Sequence, residues 1–481
     1  MTTSAAPDTA DLPPQLGTLM RRHRLRIGLT QRELADLSTI SVRAIRDLEQ
    51  GRATRPRGDT IRLIADGLRL GPRARADLES AARQGHRATA LHERLTAAPP
   101  APPQAANVLF GRDAEAAVIT DELARGTERL VSLVGLSGTG KTRLALEVAA
   151  RLHGEAGLPV LWYAWPGTPA EYRAGRDAEV FAGCVRVLVR YLFATADEDP
   201  AHFLELIGDR PAVLVIDGAA TQRPHEGRLA RLLRECPGLR LLTTCDRPWD
   251  TPGERVFLLA PLTAPDGATR EPLTAGPEDL AQLTAVQLFL FHVRRVRPEF
   301  VLDGRTAGPV ADICHRLDGL PPALRAAAEW LVVYDVETLR DCLAHDPAVL
   351  LDHFTDAGEG TRLRAGLERG LHGLDSGQLT LLDAVCRGDG DFGLEDVMAL
   401  TGRTLPECGR LVRDLLLRGV VRPSHRPGRS RFLVLHLVTA VWRGTGPRLR
   451  AVAASAPGVP EELPLRPAAP VFDGSHQSSA L

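Results

Sequence analysis

The sequence has almost no lysine. Of its 59 basic residues, 58 are arginine and one, Lys141, is lysine. Aromatic residues are scarce at 4%, so the cores must be built from Leu, Val and Ala. The seven cysteines are odd in number and form no C-x-x-C pair. This argues against a disulfide framework or zinc site and for reduced, mostly buried thiols in a cytoplasmic protein. No stretch approaches about 18 uninterrupted apolar residues, which excludes an expected membrane span. Residues 1–14 lack the charged-then-apolar pattern of a signal peptide. An overall excess of one charge is also missing, since the net charge is −1. That balance conceals an asymmetry: residues 1–100 carry 17 Arg against 11 Asp plus Glu. A basic head on an acidic body points to a local polyanionic partner.

The 481 residues are enough for about three domains. Residues 1–14 are small, polar and Pro-bearing, and are expected to be disordered. Residues 15–85 read as short helices, and 86–107 as a Pro/Ala linker stiff enough to act as a spacer. Between 108 and 262, short apolar runs alternate with helical periodicity, which predicts a parallel sheet with crossover helices. The runs are Leu130–Val134, Val160–Tyr163, Ala212–Ile216, Leu239–Thr243 and Val256–Leu259. Residues 263–345 read as helical, 346–445 as helices with a small hairpin, and 446–481 as a loose, disordered tail.

In the head, Thr30-Gln31-Arg32-Glu33 forms a capping box, and Ser41 is a good N-cap for a helix running to about Gln50. Gly51 ends that helix, and Asp59 is expected to cap the next. Leu34, Ile40, Val42, Ile45 and Leu48 supply the apolar face. Residues Leu16 to Leu70 resemble the Cro/repressor-type (XRE-like) helix-turn-helix. The resemblance rests on Gly28-Leu29-Thr30-Gln31-Arg32-Glu33-Leu34-Ala35, Ser41-Val42-Arg43-Ala44-Ile45 and Leu48-Glu49-Gln50-Gly51. It implies double-stranded DNA as partner, with the helix from Ser41 in the major groove. Gln31, Ser41, Arg43 and Arg46 would face DNA, while Arg52, Arg55 and Arg57, with Arg21, would meet phosphates. The competing reading is a helical module whose solvated basic surface serves protein contacts.

Lys141 lies in Gly135-Leu136-Ser137-Gly138-Thr139-Gly140-Lys141-Thr142, the G-x-x-x-x-G-K-[ST] pattern, with an apolar strand before it and a helix after it. Arg abundance is the ordinary product of codon drift; the surviving Lys marks a position that needs a compact ammonium rather than a planar fork. The expected nucleotide contacts are Gly135, Ser137, Gly138, Thr139, Gly140, Lys141, Thr142 and Arg143. Backbone N–H groups and the helix N-terminus would cradle the phosphates. Thr142 and Asp217, the latter at the end of the apolar run Ala212–Ile216, are the expected Mg²⁺ residues.

Further along, Phe110-Gly111-Arg112-Asp113 resembles the opening motif of NB-ARC-type ATPases of the STAND class. Gly319-Leu320-Pro321-Pro322-Ala323-Leu324 resembles their GLPLA motif, Ala285–Phe300 the helix before it, and Leu435-His436-Leu437 their MHD motif. The resemblance covers residues 108–445. It implies ATP/ADP and Mg²⁺ as ligands, Gly111 and Arg112 near the adenine, Pro321 near the nucleotide and His436 on the β-phosphate of ADP. The implied fold is multidomain: an all-α helix-turn-helix head, an α/β P-loop NTPase domain with a parallel sheet, a helical subdomain and a winged-helix-like domain.

Three departures from that pattern matter. No carboxylate follows Asp217 in Gly218-Ala219-Ala220-Thr221. The sensor arginine position of Thr243-Thr244-Cys245-Asp246-Arg247-Pro248 is Asp246, with Arg247 one residue on, and the MHD aspartate position is Leu437. Without a base and a γ-phosphate reader, turnover should be slow or absent. The expectation is a sequence-specific DNA-binding transcriptional regulator gated by ATP/ADP, at most a slow ATPase. It is expected to form a nucleotide-dependent homo-oligomer. Only 36 residues follow 445 where relatives continue into a repeat array, so either a separate sensor protein is the trigger, or nucleotide level itself is read, or the switch has decayed into a scaffold. The alternatives are an NTP-dependent signalling or defence scaffold and a true ATPase motor or kinase.

Overall fold

The computed structural model describes residues 16–53, 56–97, 100–105, 107–166, 176–194, 200–265, 276–349, 351, 359–388, 391–424 and 430–454. The expectations for residues 1–14 and for Arg55 lie outside these, as does the tail from 455 on.

The head contains α1 (Leu16–Arg26), α2 (Gln31–Ser38), α3 (Val42–Glu49), α4 (Gly58–Gly67) and the long α5 (Pro72–Ala97). Local chemistry sets the starts of α2 and α3. Thr30 Oγ1 accepts from the Glu33 N–H at 3.2 Å, and Glu33 Oε2 accepts from the Thr30 N–H at 2.7 Å. Ser41 Oγ accepts from the Ala44 N–H at 3.2 Å. Asp59 does not cap α4: the helix begins at Gly58 after Arg57, which makes no side-chain cap bond, and Asp59 sits in the first turn. Leu19, Met20, Leu34, Ile45, Leu48, Ile61, Ile64 and Leu78 close one core.

A buried ion pair pins α3 to α1. Arg24 Nε and Nη2 donate to the two Glu49 carboxylate oxygens at 2.7 and 2.9 Å, and Gln31 Nε2 donates to the second at 2.8 Å. The side chains are 9% and 3% exposed. Burial disfavours ionised Glu49, but the bonds from Arg24 and Gln31 outweigh it and hold the carboxyl below its ordinary value.

The expected spacer from residue 86 differs from what is observed. Helix α5 continues through residues 86–97, because Ala, Leu, Arg and Glu there favour helix and no proline comes before Pro99. Leu78 and Ala82 belong to the head's core, whereas Leu95 is buried in a core of the α/β domain. Beyond the helix, the Pro100 carbonyl accepts from the Val160 N–H at 3.0 Å. The connection is therefore docked on the sheet.

The α/β domain has five parallel strands: β1 (Leu130–Val134), β2 (Val160–Ala164), β3 (Ala212–Ala220), β4 (Leu239–Cys245) and β5 (Glu254–Leu258), in the order β2-β3-β4-β1-β5. β1 is buried along its whole length, as a parallel strand covered on both faces must be. Val213 and Val215 face a layer that includes α6 (Asp113–Arg125) and α7 (Lys141–Gly154). Leu214 and Ile216 face α8 (Arg176–Phe193), α9 (Ala201–Ile207) and α10 (Glu226–Glu235).

Next come α11 (Pro277–Ala281), α12 (Thr284–Val296), α13 (Ala307–Arg316), α14 (Pro321–Glu329) and α15 (Val336–His345). They are followed by α16 (Glu359–Leu371), α17 (Ser376–Val385), β6 (Phe392–Gly393), α18 (Leu394–Thr401), α19 (Leu405–Leu417), β7 (Val421–Pro423), β8 (Arg431–Val434) and α20 (His436–Ala454). The expected hairpin is a three-stranded sheet, β6-β8-β7, and α20 runs past the expected boundary at 445. One continuous core spans these helices, the small sheet and Leu136 of the glycine-rich loop. Among the described residues, no helix is long and apolar enough to cross a membrane.

Breaking the Arg24–Glu49 pair should weaken the head specifically. Glu49→Ala leaves a buried guanidinium unpaired and should cost about 3 kcal/mol, read as a lower unfolding midpoint of the head. Because the Glu49 carboxyl is held below its ordinary 4.5, its contribution is complete above that pH and decays as the pH falls below it. Thermal unfolding of wild type across that range, beside Glu49→Ala, checks both statements.

Candidate functional site

The glycine-rich loop joins β1 to α7. Gly138 and Gly140 have φ of 89° and 97°, a conformation open to glycine, which lets the loop curl. Lys141 opens α7, and its Nζ folds back on the loop. It donates to the Gly135 carbonyl at 2.6 Å, to the Leu136 carbonyl at 3.1 Å and to Asp246 Oδ1 at 3.1 Å. The other Asp246 oxygen accepts from Arg369 Nε of α16 at 3.4 Å. Asp246 and Lys141 are 14% and 12% exposed. Burial opposes the Asp246 charge, but Lys141 and then Arg369 outweigh it and hold the carboxyl below its ordinary value.

A second polar cluster lies beside the first. Thr142 Oγ1 donates to Asp217 Oδ1 at 2.8 Å, and Thr244 Oγ1 donates to the same oxygen at 2.7 Å. Thr244 Oγ1 in turn accepts from the Gly218 N–H at 2.7 Å. β4 lies between β1 and β3, so Thr244 reaches Asp217 from the neighbouring strand. Asp217 is fully buried, and its Oδ2 meets no hydrogen-bond partner among the described residues. Burial pushes its carboxyl up, against bonds from Thr244 and Thr142. A free carboxylate oxygen next to a loop threonine fits a hard divalent cation. Mg²⁺ in such sites takes one or two protein oxygens and completes its shell with water and phosphate. Accordingly, no cluster of three His, Cys, Asp or Glu is needed, and none occurs among the described residues.

Helix α16 roofs the loop. A Cβ on Gly366 would lie 2.1 Å from Ser137 Cβ, and one on Gly138 would lie 2.8 Å from Leu363 Cδ1 and 3.4 Å from Pro322 Cγ. Glycine at 366 thus allows backbone and loop to touch. Pro321 occupies the first turn of α14, while its neighbour Pro322 reaches toward the loop.

Several expected residues have other partners. Thr139 Oγ1 donates to the Leu136 carbonyl at 2.9 Å. Arg143 bonds the Asn107 carbonyl and Glu147. A Cβ on Gly111 would press on Thr284. Arg112 pairs with Glu115 at 2.9 Å and donates to the Ala260 carbonyl. Arg247 Nη2 donates to the His372 carbonyl at 2.7 Å. His436 Nδ1 lies 2.9 Å from Asp318 Oδ1, its ring edge against His315 with centroids 4.5 Å apart. The same Asp318 accepts from the His436 and Leu437 backbone N–H groups at 2.9 Å each, so it caps α20 from across the fold.

In the head, Arg43, Arg46, Arg52 and Arg57 are exposed, as is Ser41, whose hydroxyl serves the cap. Arg43 and Arg52 both lie near Asp47, at 3.8 and 3.9 Å. Gln31 is half-buried and bonded to Glu49. Sequence reasoning did not find the roles of Asp318, Thr244 and Arg369. Asp318 adjoins a motif already singled out and Thr244 lies within another; Arg369 carries no local signal.

With this geometry in place, the comparisons define the class. Residues 15–78 match the helix-turn-helix domain model, and residues 108–249 match the AAA ATPase domain model. The chain is a multidomain protein with a helix-turn-helix head joined to an AAA-type P-loop ATPase domain. An uncharacterized protein of Mycobacterium tuberculosis is 27% identical over 206 residues, 42% of this chain and 45% of the relative. Another M. tuberculosis protein, provisionally named an HTH-type transcriptional regulator, is 30% identical over 201 residues, 42% of this chain and 20% of the relative. These matches thus span less than half the length of the curated relatives. Similar solved structures include a STAND protein with a tetratricopeptide repeat sensor from Pyrococcus horikoshii, at 14% identity, 74% of this chain, 47% of that one and a TM-score of 0.28. Drosophila ORC bound to DNA is another, at 13% identity, 75% and 92% coverage and a TM-score of 0.24. At such TM-scores neither bears on this chain's function.

Two substitutions probe the assembly. Asp318→Ala orphans buried N–H groups at the start of α20 and should cost about 2–3 kcal/mol, with faster amide exchange in residues 430–445. Gly366→Val drives side-chain atoms into Ser137 and should lift α16 off the loop. Amide exchange in residues 135–142 should rise while the head keeps its protection; unchanged exchange there would show that the loop is not held by α16.

Proposed function

We propose that this chain is a sequence-specific DNA-binding transcriptional regulator whose activity is gated by ATP or ADP, with slow or absent hydrolysis. The observation that carries the reading is the shared carboxylate of Asp246, bonded to the loop's Lys141 and to Arg369 of the roofing helix. A phosphate group entering the loop competes for Lys141, so occupancy and the seating of α16 are linked. A nucleotide can shift such a balance only by its differential affinity for the two arrangements. Thr142 and Asp217 are the residues to hold Mg²⁺, which would neutralise phosphate charge when bound. The exposed arginines of the head, with Arg43 and Arg46 on α3, are the residues to meet DNA.

Slow turnover follows from what surrounds the loop. No carboxylate follows Asp217 to orient an attacking water, Asp246 stands where related proteins place an arginine, and Arg247 bonds the His372 carbonyl. Self-association in one nucleotide state would add avidity by presenting several heads to one DNA. This reading places the protein in the cytoplasm.

The test is mapping of genomic binding sites for wild type and Lys141→Ala, with steady-state turnover measured on the purified chain. Expected are discrete, salt-sensitive sites for wild type, altered occupancy for Lys141→Ala, and turnover well below the ordinary ~10 per second of enzymes. Identical occupancy would remove nucleotide gating, absence of sequence preference would remove the regulator, and turnover of several per second would remove the slow switch.

A further inference from the structure

We infer that Asp246 is a specificity-determining residue of the P-loop site: it makes the loop favour a nucleoside diphosphate over the corresponding triphosphate. This rests on the nucleotide reading above and goes beyond it by assigning the discrimination to one side chain.

An ammonium has three donors and no acceptor. All three directions of Lys141 are taken, by Gly135 O, Leu136 O and Asp246 Oδ1 at 2.6, 3.1 and 3.1 Å. An incoming phosphate must replace some of these. The two loop carbonyls are neutral, and a terminal phosphate oxygen can take over from them while Asp246 stays. A third phosphate adds negative charge around the same ammonium, against a carboxylate already there. The pocket is poorly screened, since Lys141 and Asp246 are 12% and 14% exposed, and like charges repel more strongly in such surroundings than in water. Arg369, the other cation on Asp246, is 44% exposed at 3.4 Å, so it neutralises the carboxylate only in part. Space acts in the same direction: Ser137 touches α16 at Gly366, and Leu363 and Pro322 close over Gly138. A triphosphate must therefore dislodge Asp246, press on the roof, or both.

The experiment is calorimetric titration of the full-length protein with ADP and with a non-hydrolysable ATP analogue, each with Mg²⁺. Wild type, Asp246→Asn and Arg369→Ala are compared. Wild type should bind ADP at least about tenfold more tightly than the triphosphate, the size of one incompletely screened like-charge contact. Asp246→Asn keeps the shape and removes the charge, and should bring the two affinities within about threefold. Arg369→Ala removes a partial neutraliser on the exposed side and should widen the preference, which tests the idea even if Asp246→Asn folds poorly. An unchanged ratio in a folded Asp246→Asn, or a narrower one in Arg369→Ala, overturns the assignment while nucleotide binding stands. Failure of folded wild type to bind either nucleotide overturns the nucleotide reading itself and this inference with it.

Discussion

A single ammonium organises the centre of this molecule. Lys141 is nearly out of water, and a charge in that position persists only if it is paired and hydrogen-bonded. Two carbonyls of its own loop and the Asp246 carboxylate meet that need. Asp246 passes the pairing on to Arg369, so a residue of the C-terminal region completes the electrostatics of a loop more than two hundred residues earlier. Leu136, the second residue of the loop, is buried in the core shared by the C-terminal helices and the small sheet. The loop is therefore a packing element of the C-terminal region as well as a polar turn. The wide planar fork of arginine would not occupy this position equivalently, which is why lysine persists here in a chain that uses arginine everywhere else.

The neighbouring Asp217 presents the opposite condition. One of its oxygens is satisfied by two threonines, and the other is buried with no partner among the described residues. Such a group is costly in isolation, and it is tolerable where a cation or its water completes the shell. The two carboxylates thus divide the work of the site: Asp246 is balanced within the protein, and Asp217 is left incomplete. The interfaces around them are tight. Glycine at 366 permits backbone to touch Ser137, and Asp318 closes the start of α20 from the turn before α14. Packed contacts of this kind exchange between discrete arrangements rather than deform gradually.

What was legible in the sequence was local. The Thr30–Glu33 capping box, the Ser41 cap, the five apolar strands and the glycine-rich loop all declare themselves within a few residues. What was not legible depends on distance or on weak signals. His436 meets Asp318 across 118 positions and Arg369 meets Asp246 across 123, and no local pattern encodes such pairings. β6 is two residues long, too short for an alternating pattern. The Pro/Ala-rich run of 96–107 marks a linker, but residues 86–97 before its first proline are good helix formers and continue α5. The charge reversal at Asp246 was visible as a departure from a motif. That it pairs with the loop lysine required the fold.

Helix α5 carries a mechanical consequence. It is 26 residues long, about 39 Å from end to end, with one end in the core of the head and the other in the core of the sheet. A helix anchored at both ends resists twisting, so α3 of the head holds a set azimuth relative to the strands. In any assembly of several copies, the angular offset between their heads is then dictated by how the ATPase domains stack. A matching DNA would need its sites spaced to suit that offset, in register with the helical repeat of the duplex.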